Sequence, residues 1–418
     1  MIALADCNNF YASCERVFNP GLNNKPIVVL SNNDGCIIAR SNEAKNLGIK
    51  MGEPVFKVKH IIKENNVYVF STNFALYGDM SSRVMSLLDS MSPEIEIYSI
   101  DEAFMNFNGI KNQLRVANHI RRTIKKSTGI PISIGIAKTK TLSKVANYIA
   151  KRQMRRGLCL LTGHDNILKA LKCLPVSKIW GIGSRYSRIL NGYNIKTAYD
   201  FIQLNEEWVL KKMTIMGLRI QKELKEIPCF SIDTNPSPKK NICTSRSFDG
   251  TVGSIQLMQE AITTHAVRCA EKLRSEQSCA RYVSVILKTN PFDTLGEYYN
   301  GYKSIALSIP TNDTIEIVHK ANILLKSMYK KGLTYKKAGV IVGDIISENQ
   351  VQLDLFDTDE DHIKRKNLYG TLDRLNQKLG RDKIQILGQG TNKRWGIKQE
   401  RVTPCYTTQW DQLLKVHC

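Results

Sequence analysis

The sequence predicts an α+β protein of several domains, on two observations. Residues 1–153 interleave short apolar strands with amphipathic helices, and residues 241–346 run strand, helix, strand, strand, helix, strand. The first pattern belongs to a mixed catalytic core and the second is the split βαβ order. A chain of 418 residues has room for two to four domains, and 42% hydrophobic residues is enough for ordinary packed cores.

Each element follows from local pattern. MIALAD is a short apolar strand ending on an acid, and KPIVVLS (25–31) is a second, followed by the turn-rich NNDG. NEAKNLGI (42–49) reads as a helix closed by Gly48. Apolar residues recur at helical spacing from Leu76 to Met91, after which EIEIYSI and EAFMNF read as two paired strands. A basic helix from Asn112 to Thr128, the strand PISIGIA (131–137) and the helix KTLSKVANYIAKRQ (140–153) complete this part. Residues 174–204 read as helix, tight Gly-Ile-Gly turn and helix, and PCFSIDTNPSPKK (228–240) as a linker. After the split βαβ unit, QVQLDLFDTDEDHIKRK reads as a polar tether, and the tail from about 367 to 418 is too short for a large core.

Composition narrows the function. The formal net charge is +22, with Lys and Arg spread along the chain. That balance favours nucleic acid as partner, with an anionic membrane surface second. The cysteines number 11, contain no Cys-x-x-Cys pair and sit partly in apolar runs. This argues against a zinc site and for a reducing compartment. No signal-type leader and no membrane-length apolar run is visible, so a cytoplasmic protein is expected.

The stretch SIDEAF (99–104) places Asp101 and Glu102 within an apolar, strand-like segment. Charges are rarely buried without a partner. Adjacent strand residues point to opposite faces, so the two acids share a site only if the backbone bends between them. Asp6 is a third acid at a strand end. Three carboxylates without His or Cys ligands suit a hard cation, Mg2+ or Mn2+, and a pair of such ions ~3.5–4 Å apart is the usual clamp for phosphoryl transfer.

These motifs carry a resemblance. SIDEAF, ALADCNNFYASCE and GIAKTKTLSKVANYIAK, in this order and separation, resemble the Y-family translesion DNA polymerases. The resemblance implies a right-hand polymerase: palm at 1–18 and 75–165, fingers at 19–74, helical thumb at 166–235, split-βαβ little finger at 236–346, tether at 347–366 and C-terminal segment at 367–418. It implies Asp6, Asp101 and Glu102 as ligands of two Mg2+ ions, Mn2+ substituting, with the Cys7 carbonyl completing the set. Tyr11 would be the steric gate against a ribose 2′-OH, with Phe10 beside the sugar and base. Lys151 would meet the triphosphate. Many members carry Tyr and Arg where this chain has Asn42 and Lys45. Lys45 still offers charge to a phosphate, without a bidentate fork. SNNDGCIIAR, NEAKNLGIKMGEP, NFALYGDMSSRV and LGQGTNKRWGIKQERVTPCYTTQWDQLLKV resemble one branch, the catalytic subunits of bacterial DNA polymerase V, so the likeness covers nearly the whole chain.

DNA contacts are expected at two places. WGIGSR (180–185) looks like a helix-hairpin-helix, whose Gly181 and Gly183 let backbone N–H groups approach a phosphate, with Arg185 and Arg188 following. Ser245, Arg246 and Ser247 lie on an early strand of the little finger and suit phosphates. QLDLF (352–356) is similar to the peptide by which bacterial polymerases dock on the β sliding clamp, with Gln352, Leu353, Leu355 and Phe356 as contacts. The implied activity is template-directed transfer of dNMP to a primer 3′-OH, bypassing damaged bases in the SOS response. The implied partners are primer–template DNA, dNTP, the clamp, a processed accessory subunit and the recombinase filament. On residues alone, a metal-dependent nuclease or a non-catalytic DNA-binding scaffold stays open, since acids and a helix-hairpin-helix serve both.

Overall fold

The computed structural model describes residues 1–152, 157–235, 237–293, 296–352, 359–380, 382–391, 395, 396 and 398–415, with the side chains of 359–363 excepted. The chain divides into two units, Met1–Pro236 with Glu400–Cys418, and Ser237–Gln399.

The first unit is built on a five-stranded sheet in the order β5-β6-β1-β7-β8. Its strands are β1 (Ile2–Cys7), β5 (Ile95–Ile97), β6 (Glu102–Asn106), β7 (Ile132–Ala137) and β8 (Leu158–Leu160). β1 is central and antiparallel to both β6 and β7. Alternation sorts its side chains: Ala3, Ala5 and Cys7 join a core with α1 (Phe10–Phe18), α4 (Phe74–Asp89) and α5 (Gln113–Thr128). Leu4 and Asp6 therefore face the other side, which α6 (Lys140–Arg152) covers. β7 is buried at every position, as its continuous apolar run demands. Gly135 on β7 lets α6 in: a Cβ there would lie 2.1 Å from the Asn147 backbone nitrogen.

A second sheet, β3-β2-β4, combines β2 (Ile27–Leu30), β3 (Ile37–Arg40) and β4 (Tyr68–Ser71), with α2 (Asn42–Asn46) and α3 (Lys59–Glu64) against it. The helices α7 (His164–Cys173), α8 (Ser184–Gly192), α9 (Ala198–Ile202) and α10 (Glu206–Leu224) share a core with α6 and β8. Residues 400–408 return to this unit. Ser71 N–H donates to Arg401 O at 2.9 Å, Arg401 N–H donates to Ser71 Oγ at 3.0 Å, and Tyr406 stacks on Phe18 at 4.8 Å.

The second unit carries the split βαβ order that the pattern predicts: β9 (Asn241–Val252), α11 (Ile255–Ser275), β10 (Ser278–Thr289), β11 (Asn300–Thr311), α12 (Thr314–Met328) and β12 (Tyr335–Ser347). Its antiparallel sheet runs β11-β10-β12-β9, with α11 and α12 sharing the core on one face. The expected polar tether gives way from Asp359 to a helix, α13 (Asp359–Leu379). Arg274 grips Asp373 with two hydrogen bonds of 2.7 and 2.9 Å, Arg268 pairs with Asp382, and Trp395 is buried in the unit's core. The tail is thus split between the two units instead of standing apart. Its own pattern is too polar to reveal that, because the anchors are a few residues that find their partners elsewhere in the chain. No helix among the described residues is long and apolar enough to cross a membrane.

Gly135→Ala should destabilise the first unit by about 3 kcal/mol, the upper end for overpacking, because the obstruction is backbone. Gly183→Ala, with open space around it, should change thermal unfolding little. Differential scanning calorimetry of the two variants checks the contrast, and equal midpoints would overturn the packing argument.

Candidate active site

The acids come together through register. Asp6 on β1 stands directly opposite Glu102 on β6, so their side chains share the α6 face. Asp101 sits in the bend before β6, and its carbonyl accepts the Cys7 N–H at 2.7 Å. That bend is the one a shared site requires. The Ser99 hydroxyl donates to Asp101 Oδ1 at 2.6 Å and sets the carboxylate's direction. Burial raises the Asp6 carboxyl from its usual 3.8 to about 6. Lys151 opposes the rise, and the charges of Glu102 and Asp101 add to it. Asp6 therefore feels both of the other acids. The Cys7 side chain is buried in the opposite core, and burial pushes its thiol up.

The charge is met by a stripe of lysines on α6. Lys151 Nζ lies 2.5 Å from Asp6 Oδ1, and Lys144 Nζ donates to both Glu102 oxygens at 2.9 and 3.0 Å. Lys140 pairs with Glu96. Lys144 also sits over the rings of Tyr98, Trp180 and Phe104. Asp6 and Glu102 keep side-chain exposures of 16% and 17%, so these pairs are weakly screened. Among the described residues, no group of three or more His, Cys, Asp or Glu side chains is drawn tightly enough to hold a metal ion. Ammoniums occupy Asp6 and Glu102, and the Ser99 hydroxyl holds Asp101. Lys144 escaped the sequence reading, although its seven-residue spacing from Lys151 puts both on one helix face.

Tyr11 and Phe10 open α1, just after β1. Phe10 is buried in the core, while Tyr11 stays half-buried, stacked on Tyr77 at 4.4 Å and 15°. Burial and then the Asp101 charge raise the Tyr11 hydroxyl, which places the ring beside the acids. Asn42 and Lys45 of α2 reach the same corner. Asn9 Nδ2 donates to Asn42 Oδ1 at 3.0 Å, and Lys45 Nζ donates to Asn9 Oδ1. Lys45 is held below the usual lysine range, first by burial, then by Arg40, Lys151 and Arg152. Three further cations this close disfavour charge on Lys45 and favour a polyanion. Arg40 and Arg152 were not anticipated, because nothing local in the sequence links them.

The other expected contacts lie on different elements. Gly181 has φ +83°, and a Cβ there would meet Ile220 Cδ1 at 2.4 Å, so the turn requires glycine. Gly183 precedes the first turn of α8, and Arg185 and Arg188 are exposed. In the second unit, β9 separates the expected trio. Arg246 shares parity with the buried Ile242, and its charge joins burial in pushing His265 of α11 down to about 3. Ser245 and Ser247 alternate with it and point to the other face. Gln352 is exposed, while Leu353, Leu355 and Phe356 lie outside the described residues.

Comparison with known proteins identifies the family. The impB/mucB/samB family model matches residues 5–148, its C-terminal domain 239–355, and a domain of unknown function, DUF4113, 366–416. Protein UmuC of Salmonella typhimurium is 42% identical over 422 residues, covering 100% of both chains. DNA polymerase IV of Desulfatibacillum aliphaticivorans is 26% identical, covering 92% of this chain and 96% of that one. The Y-family DNA polymerase chimera Dbh-Dpo4(243-245)-Dbh superposes with a TM-score of 0.66 at 22% identity, covering 83% of this chain and 100% of its own, which makes the fold that of a Y-family polymerase. With relatives alike from end to end and family matches in both units, the chain belongs to the impB/mucB/samB family.

Proposed function

We infer that the chain is a translesion DNA polymerase. It transfers dNMP from a dNTP to a primer 3′-OH under template direction, past damaged bases, in the SOS response. The observation that carries this is the β1–β6 register, which sets Asp6 opposite Glu102 with Asp101 tied to Cys7 and Tyr11 alongside. The likeness to UmuC and to DNA polymerase IV supports it.

The donor set of Asp6, Asp101, Glu102 and the Cys7 carbonyl is all oxygen, which fits hard divalent cations. That Asp6 and Glu102 each hold an ammonium shows how strongly this pocket calls for positive charge. Two Mg2+ ions, or Mn2+ in their place, would supply charge stabilisation on the triphosphate when bound there. The chain's own residues do the rest by positioning. Lys151 and Lys45 draw the triphosphate into the corner that Arg40 and Arg152 also make positive. Tyr11 places a ring where a ribose 2′-OH would need space, and Phe10 locks the start of α1 into the core. Gly181, Gly183 and the start of α8 offer backbone N–H groups and Arg185 to duplex phosphates, and Ser245 and Ser247 offer hydroxyls from β9. Arg246 serves that surface less directly, since it faces α11. We place the polymerase in the cytoplasm with primer–template DNA, the β sliding clamp through residues 352–356, a processed accessory subunit and the recombinase filament.

Asp101→Asn should lower primer extension by at least about a thousandfold, which is about 4 kcal/mol of lost charge stabilisation, with unchanged circular dichroism. Extension at wild-type rate would end the assignment.

The folded state favours protonated Asp6, because its carboxyl titrates near 6 instead of 3.8. Its stabilising contribution is therefore full below about pH 3.8 and lost as pH rises through about 6. Cation binding needs the ionised form, so Mg2+ affinity should climb through the same window. Lys151→Ala removes the influence that lowers the Asp6 value and should move the midpoint upward. Calorimetric Mg2+ titrations across that pH range check this, and a midpoint moving down would contradict it.

A further inference from the structure

Tyr11 is braced from behind by residues distant in sequence. Its stacking partner Tyr77 is fully buried on α4, and the Tyr77 hydroxyl donates to Glu15 Oε1 at 2.5 Å. Glu15 is 2% exposed and lies one turn beyond Tyr11 on α1. The same Glu15 oxygen accepts the Thr403 hydroxyl at 3.3 Å. Thr403 belongs to the C-terminal segment, and its carbonyl accepts Asn73 Nδ2 at 2.8 Å. Asn73 in turn caps α4, accepting the Leu76 N–H at 3.1 Å. Asn73 Nδ2 also reaches Pro404 O at 3.2 Å, and Tyr406 stacks on Phe18 at the far end of α1. One stretch of tail therefore pins both helices that carry the stacked tyrosines: α4 at its cap, α1 at Glu15 and Phe18.

We propose that residues 401–406 act as a positioning strap for Tyr11, the Thr403–Glu15–Tyr77 chain setting the plane on which its ring rests and so the stringency of sugar selection. The proposal rests on the reading of Tyr11 as the ring beneath the incoming sugar. Sugar exclusion is steric, so displacement of the ring by a fraction of an ångström changes it, as small misplacements elsewhere change rates. A buried carboxylate with two hydroxyl donors resists such displacement better than ring contacts alone, because hydrogen bonds to a charged group are directional and strong. Thr403, Glu15 and Tyr77 touch no substrate and are positioning residues.

The test measures kcat/KM of the full-length chain for a ribonucleotide and for the matching deoxynucleotide on one primer–template. The ratio cancels any loss of active protein. Tyr11→Ala should abolish discrimination. The double variant Thr403→Val with Tyr406→Ala should lower it about tenfold, the effect of about 1.4 kcal/mol, mostly through a lower KM for the ribonucleotide. Glu15→Ala should do the same, and Glu15→Gln should restore it, since an amide oxygen accepts both hydroxyls. If Glu15→Ala does not fold, the double variant at the half-buried strap decides. Loss in Tyr11→Ala with full discrimination in the double variant overturns the strap and leaves the gate. Full discrimination in Tyr11→Ala overturns both.

Discussion

The arrangement depends on a conflict between burial and charge at the end of two interior strands of a sheet. Antiparallel register puts Asp6 and Glu102 side by side in a half-dry site, with Asp101 one residue away. Burial raises the cost of ionising Asp6, and the charges of Glu102 and Asp101 add to that cost. Such a cluster persists only with cations close by. The lysine stripe of α6 supplies them, and Gly135 is what lets α6 approach closely enough to do so.

The same economy shapes the neighbouring corner. Lys45, Arg40, Lys151 and Arg152 lie near enough to disfavour charge on Lys45, a repulsion that an incoming polyanion relieves. Acids and cations are thus segregated over a short distance, with Lys151 serving both sides. Asn42 links α2 to Asn9 at the entrance to α1. The helix α2 and the entrance to the first helix are joined there by paired amides.

The second unit answers a different demand. Its open sheet face carries Ser245 and Ser247, while its covered face holds Arg246 close to a buried, neutral His265. Ion pairs from Arg268 and Arg274, together with buried Trp395, dock the tail helix on the same unit. A polar, weakly patterned tail gains its order from a few well-placed anchors.

Local pattern was enough for much of this. Most strands and helices and the split βαβ order appear where residue periodicity placed them, since period and burial are local consequences of side-chain direction, whereas the helix expected before the Gly-Ile-Gly turn is only a short 3-10 turn at Val176–Lys178. The three acids were also readable, because SIDEAF and MIALAD put charge where an apolar strand should continue. The pairing of Lys144 with Glu102 could have been suspected from helical spacing but needed the register to become definite. Other features had no local trace. The splitting of the tail between two units and the Thr403–Glu15 contact across 388 positions both depend on which surfaces meet. Sequence carries the periodicity that forms each element. Contacts between elements come from the packing that satisfies all of their buried polar groups together, and no single segment contains that information.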